Sequence, residues 1–462
     1  MTAVDAHYDL IIIGTGSGNS LPNDDFADKK IAIVEKGRFG GTCLNVGCIP
    51  TKMYVYAAEQ AYKAAHSEHL NIHTSYEGAD WDRIVDRVFA QRIDLIAAGG
   101  EAYRRGEETP NIDVYDGHAR FVAPRTITTA QGPEERTISG DQIVIATGSR
   151  PFILPVIADS GVRYHTNEDI MRLEKQPESL IILGGGVIAA EFAHVFSALG
   201  TAVTIINRSP LLKNLDSDIS GRFNDIMADR MDTRIGRTVT AASESDDGIS
   251  LTLDDGSTVT AEALLVALGR TPNGDQMALE TAGIDMHDDG RIVVDDYGRT
   301  TADGVWALGD VSSPYQLKHV ANAEARAVQH NLLHPDDLQA MPHDHVPAAI
   351  FSHPQIATVG LTEDQARATG RELTIKVQNY GDVAYGWAME DHEGIVKLIA
   401  DKNTGELLGA HFLGEQASTL IQQLITIMAY RIDVRDVARR QYWIHPALPE
   451  VTENALLGLQ FS

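Results

Sequence analysis

The chain opens on an unbroken apolar run, "YDLIIIG" (8–14), that passes straight into a glycine-rich turn, "GTGSGNS" (14–20). A second run, "SLIILGGGVIAAEFAHVFSALG" (179–200), repeats the arrangement and continues with apolar positions at helical spacing. Each is followed by another apolar stretch, "KIAIVEKG" (30–37) and "AVTIINRS" (202–209). Short apolar runs bounded by glycine predict buried strands, and the repeat predicts two β–turn–α–β beginnings, each able to hold a dinucleotide. The copies differ. The second is regular, with Gly184, Gly186 and Ala189. In the first, Gly14 and Gly16 are in place, but Asn19 stands where a third small residue belongs. Pro22 and Asp24-Asp25 then interrupt the helical stretch, which predicts looser or differently angled helix packing there.

Between the two copies, "ADWDRIVDRVFAQRIDLIAA" (79–98) places Trp81, Ile84, Val85 and Val88 at helical spacing, a packing helix. "GHARFV", "RTITT" and "DQIVIATGS" (117–149) read as short strands. Beyond the second copy, "GRTTADGVWALGDVSS" (298–313) is a strand ending at Gly309-Asp310. From about residue 345 strands alternate with turns, and "GIVKLIADKNTGELLGAHFLG" (394–414) predicts a hairpin around Asn403-Thr404-Gly405. A helix is expected over about 418–431, then the tail "YWIHPALPEVTENALLG". The fold class is therefore α/β, with two Rossmann-like dinucleotide-binding units and a C-terminal α+β region.

Specific side chains sharpen the dinucleotide reading. Glycines let the backbone approach a pyrophosphate, and a helix N-terminus supplies N–H donors. Glu35 ends the second strand of the first unit, where a carboxylate accepts hydrogen bonds from ribose hydroxyls. The matching place in the second unit is Asn207, followed by Arg208 and Lys213. No carboxylate there repels a 2′-phosphate and a guanidinium can pair with it, which favours NADPH over NADH. Asp310 is placed to bond a ribityl or ribose hydroxyl.

Charge and composition set limits. The 462 residues carry 38 basic against 65 acidic side chains, a formal charge of −27. That argues against nucleic acid and against anionic membranes as partners. No apolar run is long enough to span a bilayer, and "MTAVDAHYDLIIIG" has no basic n-region of a secretory signal. A reducing cytoplasm is the expected location. Only two cysteines occur, Cys43 and Cys48, both within "GGTCLNVGCIPTK" (40–52). A close pair in a reducing compartment is catalytic or metal-binding, and metal is disfavoured because no second Cys or His pair at ligand spacing accompanies it.

Assembled, these segments resemble the flavoprotein disulfide reductases, the family of glutathione reductase and lipoamide dehydrogenase. The likeness spans essentially the whole chain. "GGTCLNVGCIPTK" resembles the family's redox-active disulfide motif, and "ATG" (146–148), "GRTPN" (269–273), "GD" (309–310), "VGLTE" (359–363) and "HPALPE" (445–450) follow in family order. "GTGSGNS", "CIPTKMYVYAAE", "LKHVAN" and "GDVAYGWAMED" resemble an actinobacterial branch of it.

The resemblance implies FAD-binding segments at 1–150 and 276–340, an NAD(P)H-binding domain at 151–275 and an interface domain at 341–462, in a homodimer. It implies a Cys43–Cys48 disulfide beside the flavin, with Cys43 attacking substrate and Cys48 facing the flavin. Lys52 and Glu191 would form an ion pair near flavin N5. His445 and Glu450 would be the acid–base unit, reaching the other subunit's disulfide. Gly41, Thr42, Gly148, Gly269 and His319 join the cofactor-binding set. Val187 stands where many relatives carry an aromatic gate over the flavin. The substrate is expected to be a small-molecule disulfide. The stretch after the first glycine turn lacks the arginines with which glutathione reductases hold a charged disulfide. Tyr54 and Tyr56 instead suit an uncharged, sugar-containing one, such as the disulfide of the N-acetylcysteinyl glucosaminyl inositol thiol. Lipoamide dehydrogenase and a non-enzymatic flavin-binding redox sensor are the alternatives.

Overall fold

The computed structural model describes residues 3–461. The chain divides into two compact units, one of Met1–Thr51, Asp82–Phe152 and Gly269–His343, the other of Lys52–Trp81, Ile153–Leu268 and Asp344–Ser462. Residues 52–81, expected inside the first FAD segment, thus group with the second unit.

The first unit is built on a seven-stranded sheet centred on Ala6–Ile13, which pairs in parallel with Ile31–Val34 on one side and Glu134–Ile145 on the other. Ile11, Ile12, Ile31, Ile33, Ile143 and Ile145 are fully buried, as unbroken apolar runs in a parallel sheet require. The packing helix of 79–98 forms as Trp81–Val88 and Asp94–Arg105, joined by a π-turn over Phe89–Ile93. Val305–Ala307 adds to the sheet edge of Glu134–Ile145 and delivers Gly309 and Asp310 to its end.

The first glycine turn is not followed by a packed helix, looser or otherwise. Two three-residue turns, Gly18–Ser20 and Asp24–Phe26, take its place. Pro22 lacks the N–H a helix interior needs, and the Asn23 side chain accepts from Asp25 N at 3.0 Å, starting a separate turn. The carbonyls a helix would have used are satisfied from outside. Arg104, nearly buried, donates to Asn19 O at 2.8 Å, Asn19 Oδ1 at 2.9 Å and Pro22 O at 3.3 Å. Gln329 donates to Leu21 O at 2.6 Å. The close-packed small residue is also one place early: a Cβ on Gly18 would stand 2.9 Å from Ala146 Cβ and 3.0 Å from Ile12 Cγ2.

The second unit holds a four-stranded parallel sheet in the order Asp232–Ile235, Ala202–Asn207, Ser179–Leu183, Ala263–Val266. Here the glycine turn does lead into a helix, Val187–Ala198, with Ala189, Ala190, Phe192 and Phe196 buried. A five-stranded antiparallel sheet follows, and its hairpin Ile395–Asp401 with Leu407–Leu413 closes where the sequence places it. Helix Ala417–Ala429 packs on that sheet. Lys397 lies fully buried in the hairpin, its Nζ held by Asp216 at 2.9 Å, Asp218 at 2.6 Å and Glu363 at 2.6 Å. A buried ammonium is tolerated only with such partners, so this cluster ties the hairpin to helix Ser217–Arg230. No helix among the described residues is long and apolar enough to cross a membrane.

Candidate active site

In the first unit the glycine turn and the cysteine loop touch backbone to backbone. Gly14 has φ +104°, and a Cβ there would stand 2.3 Å from Ala146 O. A Cβ on Gly41 would stand 2.5 Å from Gly16 Cα. Only glycine meets both demands. Glu35 is drawn back onto this turn: Oε2 accepts from Thr15 N at 3.0 Å and Thr15 Oγ1 at 2.6 Å, and Oε1 from Gly37 N at 2.9 Å. A carboxylate fixed this way is preoriented at the strand end, with acceptor capacity left for a hydroxyl.

Cys43 lies in the short helix Gly41–Asn45, and Cys48 begins the long helix Cys48–Ala65. The two cysteines are free thiols joined by a side-chain hydrogen bond, the contact a dithiol–disulfide pair needs. The Cys48 side-chain hydrogen bond lowers the Cys43 thiol most; burial opposes it, and the Lys318 charge and the N–H groups of Cys48 and Ile49 lower it further, to about 7. About half of Cys43 is then thiolate, the reactive form, at pH 7.

Asp310 accepts from Ser149 Oγ at 2.7 Å, and Arg270 donates to the same hydroxyl at 2.7 Å. Gly148 has φ +65° and Gly269 φ +124°. Thr147 Oγ1 and Asn45 Oδ1 are buried with no hydrogen-bond partner among the described residues. Thr42 is exposed, and His319 is the second residue of helix Lys318–Leu333.

In the second unit Gly184 repeats the arrangement of Gly14, with φ +136° and a Cβ position 2.2 Å from Ala267 O. Gly186 caps helix Val187–Ala198. A Cβ on Gly185 would stand 2.3 Å from Asn207 Nδ2, which donates to Ser209 O at 2.6 Å. Arg208 and Lys213 are exposed and have no ion-pair partner among the described residues. Val187 is 45% exposed at the helix start.

The expected Lys52–Glu191 ion pair is not a direct contact. Phe351 stands between: Lys52 Nζ lies 3.7 Å from its ring centroid, and its backbone N–H donates to Glu191 Oε1 at 3.0 Å. The charges still sense each other. Desolvation raises the Glu191 carboxyl to about 7 against the Phe351 N–H and the Lys52 charge, and desolvation lowers Lys52 against the pull of Glu191 and Glu59. Behind them Glu59 Oε1 lies 3.1 Å from His194 Nε2 and 3.2 Å from His353 Nδ1. Phe351, Glu59, His194 and His353 were not legible as a group. They come from three distant segments, and only Glu59, seven residues along the helix from Lys52, carried a periodic hint.

Tyr54 is a correction. It is fully buried, its hydroxyl donates to Met171 O at 2.6 Å, and its ring packs on Trp81 at 5.3 Å. It packs as a core residue, with no surface open to a ligand. Tyr56, two positions on and therefore on another helix face, is 65% exposed. His445 and Glu450 do meet: Nδ1 and Oε1 are 2.7 Å apart, and Glu450 Oε2 accepts from Ala447 N at 3.2 Å. The His445 bond holds the Glu450 carboxyl below its ordinary range. The imidazole is mostly exposed, with Nε2 on the side away from Glu450.

Residues 8–327 match the family described as pyridine nucleotide-disulphide oxidoreductase, and residues 346–456 match the dimerisation domain of the same family. The chain is 54% identical to a mycothione reductase of Mycobacterium tuberculosis, over 98% of this chain and 99% of that one. It is 31% identical to a glutathione reductase of Burkholderia cepacia, over 96% and 97%. It is 33% identical to a dihydrolipoyl dehydrogenase of Bacillus subtilis, over 98% of each. Among solved structures it resembles the HOCl-induced flavoprotein disulfide reductase RclA of Escherichia coli in its Cu(II) complex. The TM-score is 0.87 at 28% identity, covering 98% of this chain and 99% of that one.

Proposed function

The chain belongs to the pyridine nucleotide-disulphide oxidoreductases, and from that premise we propose that it reduces mycothione, the disulfide of mycothiol, with electrons from NADPH carried through FAD and the Cys43–Cys48 pair. One observation carries the reading: a hydrogen-bonded thiol pair at a helix start, with Cys43 lowered to about 7, in a chain 54% identical to a mycothione reductase over 98% of its length.

The residues present fit both cofactors. For FAD, Gly14 and Gly41 keep side chains out of the turn, Glu35 is preoriented, and the buried Thr147 Oγ1 and Asn45 Oδ1 lack hydrogen-bond partners among the described residues. Gly16, Gly148, Asp310, His319 and Gly269 complete the set. For NADPH, Gly184 and Gly186 open a helix N-terminus, and the exposed Arg208 and Lys213 suit a 2′-phosphate. When bound, FAD supplies the two-electron relay between the nicotinamide and the cysteines. Lys52 and Glu191, bridged by Phe351, would set the local charge beside a bound flavin.

The thiols do the remaining chemistry. The Cys43 thiolate attacks one sulfur of the substrate disulfide, and the first thiol leaves with a proton from His445 of the partner subunit. Glu450 holds the imidazole in orientation and stabilises its charged form. Cys48 then attacks Cys43, re-forming the protein disulfide, and its proton goes to the second departing thiol. The two electrons that restore the dithiol come from NADPH. Tyr56 remains the substrate-facing tyrosine. The four segments at 1–150, 151–275, 276–340 and 341–462 keep their proposed roles, in a homodimer of the cytoplasm.

NADPH oxidation by the purified yellow protein with mycothione, glutathione disulfide or lipoamide tests this. Turnover with mycothione, and at least a hundredfold less with the others, is expected. Turnover with lipoamide and none with mycothione would keep the family and reject the substrate.

A further inference from the structure

Lys318 enters none of these steps. It is the first residue of helix Lys318–Leu333. A helix N-terminus disfavours a cation, because the backbone dipole places positive charge there. Lys318 nevertheless has no ion-pair partner among the described residues. Its Nζ donates to Ser17 Oγ at 2.9 Å, and Ser17 Oγ donates to Asn322 Oδ1 at 3.2 Å, one turn further along the same helix. These bonds hold the ammonium over the first glycine turn. That turn touches the cysteine loop at Gly16 and Gly41, where a Cβ would stand 2.5 Å away, and Gly41 is two residues before Cys43. Held against the dipole with no ion-pair partner among the described residues, this ammonium lies near enough to the cysteine loop for its charge to act on the Cys43 thiol.

We propose that Lys318 is a positioning residue whose ammonium is the counter-ion, within the same chain, of the reduced Cys43–Cys48 pair. The inference rests on the redox role proposed above for the two cysteines. The groups facing Cys43 are the Cys48 thiol and the N–H groups of Cys48 and Ile49 from the long helix, and Lys318 from helix Lys318–Leu333; burial opposes all of them. Above the Cys43 inflection the reduced pair carries one proton less than two neutral thiols. Lys318 stabilises that single negative charge whichever sulfur holds it. It therefore favours Cys43 as attacking thiolate and then Cys48 as the resolving one. His445 serves the departing thiol and Lys318 the attacking thiols, so the two cations have separate tasks.

The test is the pH profile of thiol alkylation. The holoenzyme is reduced anaerobically with NADPH and treated with iodoacetamide from about pH 5 to 10. Mass spectrometry then follows carboxamidomethylation at Cys43. The parent inflection is expected near about 7. Lys318→Met should move it up by about one unit, slowing alkylation roughly tenfold below the inflection. Lys318→Arg should keep the parent profile. If Lys318→Met does not retain flavin, Lys318→Gln is measured the same way and should show the same upward move. A charge-neutral variant that holds flavin and keeps the parent inflection overturns the proposal and leaves the cysteine chemistry standing. A parent inflection at the ordinary thiol value, or no NADPH-dependent alkylation of Cys43, overturns the functional reading and this inference with it.

Discussion

The two glycine turns begin alike and continue differently. Gly14 and Gly184 both take positive φ, and each has a neighbouring carbonyl oxygen, of Ala146 or Ala267, where a Cβ would be. Each connects to the next parallel strand, at Ile31 or Ala202, by a segment of nearly equal length. The second segment spends its residues on helix Val187–Ala198, whose hydrogen bonds are internal. The first, broken by Pro22, makes two short turns, and the carbonyls of Asn19, Leu21 and Pro22 depend on Arg104 and Gln329. Chain length therefore does not decide whether a helix follows a glycine turn. Backbone donors within the segment decide it, and where they are missing a distant side chain must supply them. The strand ends differ too: Glu35 bonds the turn itself, whereas Asn207 bonds Ser209 and is followed by an exposed Arg208 with no ion-pair partner among the described residues.

The largest effect that can break this comparison is a Cβ at either turn. Gly14→Ala should purify without flavin, and Gly184→Ala should stay yellow but lose at least tenfold in kcat/KM for NADPH. Absorbance of the purified proteins and steady-state kinetics read the two outcomes; loss of flavin from Gly184→Ala would contradict the division of labour. Arg104→Leu comes next. It strands the buried carbonyls of Asn19 and Pro22, at about 1–3 kcal/mol each, and should lower the thermal midpoint and speed flavin release. An unchanged melting curve would mean the first turn does not need its external donor.

Arg208→Ala sharpens the contrast between the strand ends. KM for NADPH should rise about tenfold, roughly 1.4 kcal/mol, with KM for NADH unchanged. Equal losses for both nucleotides would remove the 2′-phosphate assignment. The smallest effect is Glu191→Gln. The carboxyl is raised from an ordinary 4.5 to about 7, so the folded chain keeps a proton that the unfolded chain releases between those values. Its contribution to stability is present below pH 4.5 and is lost as pH rises through about 7. Glu191→Gln should flatten that decline by a few degrees in thermal midpoint between pH 5 and 7, and a slope equal to the parent's would show the carboxyl is not raised.

The fold was legible wherever apolar runs met glycine, because buried parallel strands need both. Gly14, Gly184 and the hairpin at Asn403-Thr404-Gly405 stand where the pattern puts them. The contacts Cys43–Cys48 and His445–Glu450 were legible because each pair is local in sequence. What escaped was long-range. Arg104 reaches back to Asn19, and Phe351 inserts between Lys52 and Glu191, contacts that no local pattern encodes. Tyr54 misled for a related reason: a tyrosine two positions from an exposed one looks equivalent in the sequence, yet a helix turns it into the core. Lys397 reads as an ordinary strand charge until Asp216, Asp218 and Glu363 are seen around it.

The most direct test of the whole account is Cys43→Ser assayed with NADPH and mycothione. Mycothione turnover should fall by at least a thousandfold while NADPH still bleaches the bound flavin, since only the thiol exchange has lost its nucleophile. Full turnover in that variant would contradict the central claim, that electrons from NADPH leave the protein through Cys43.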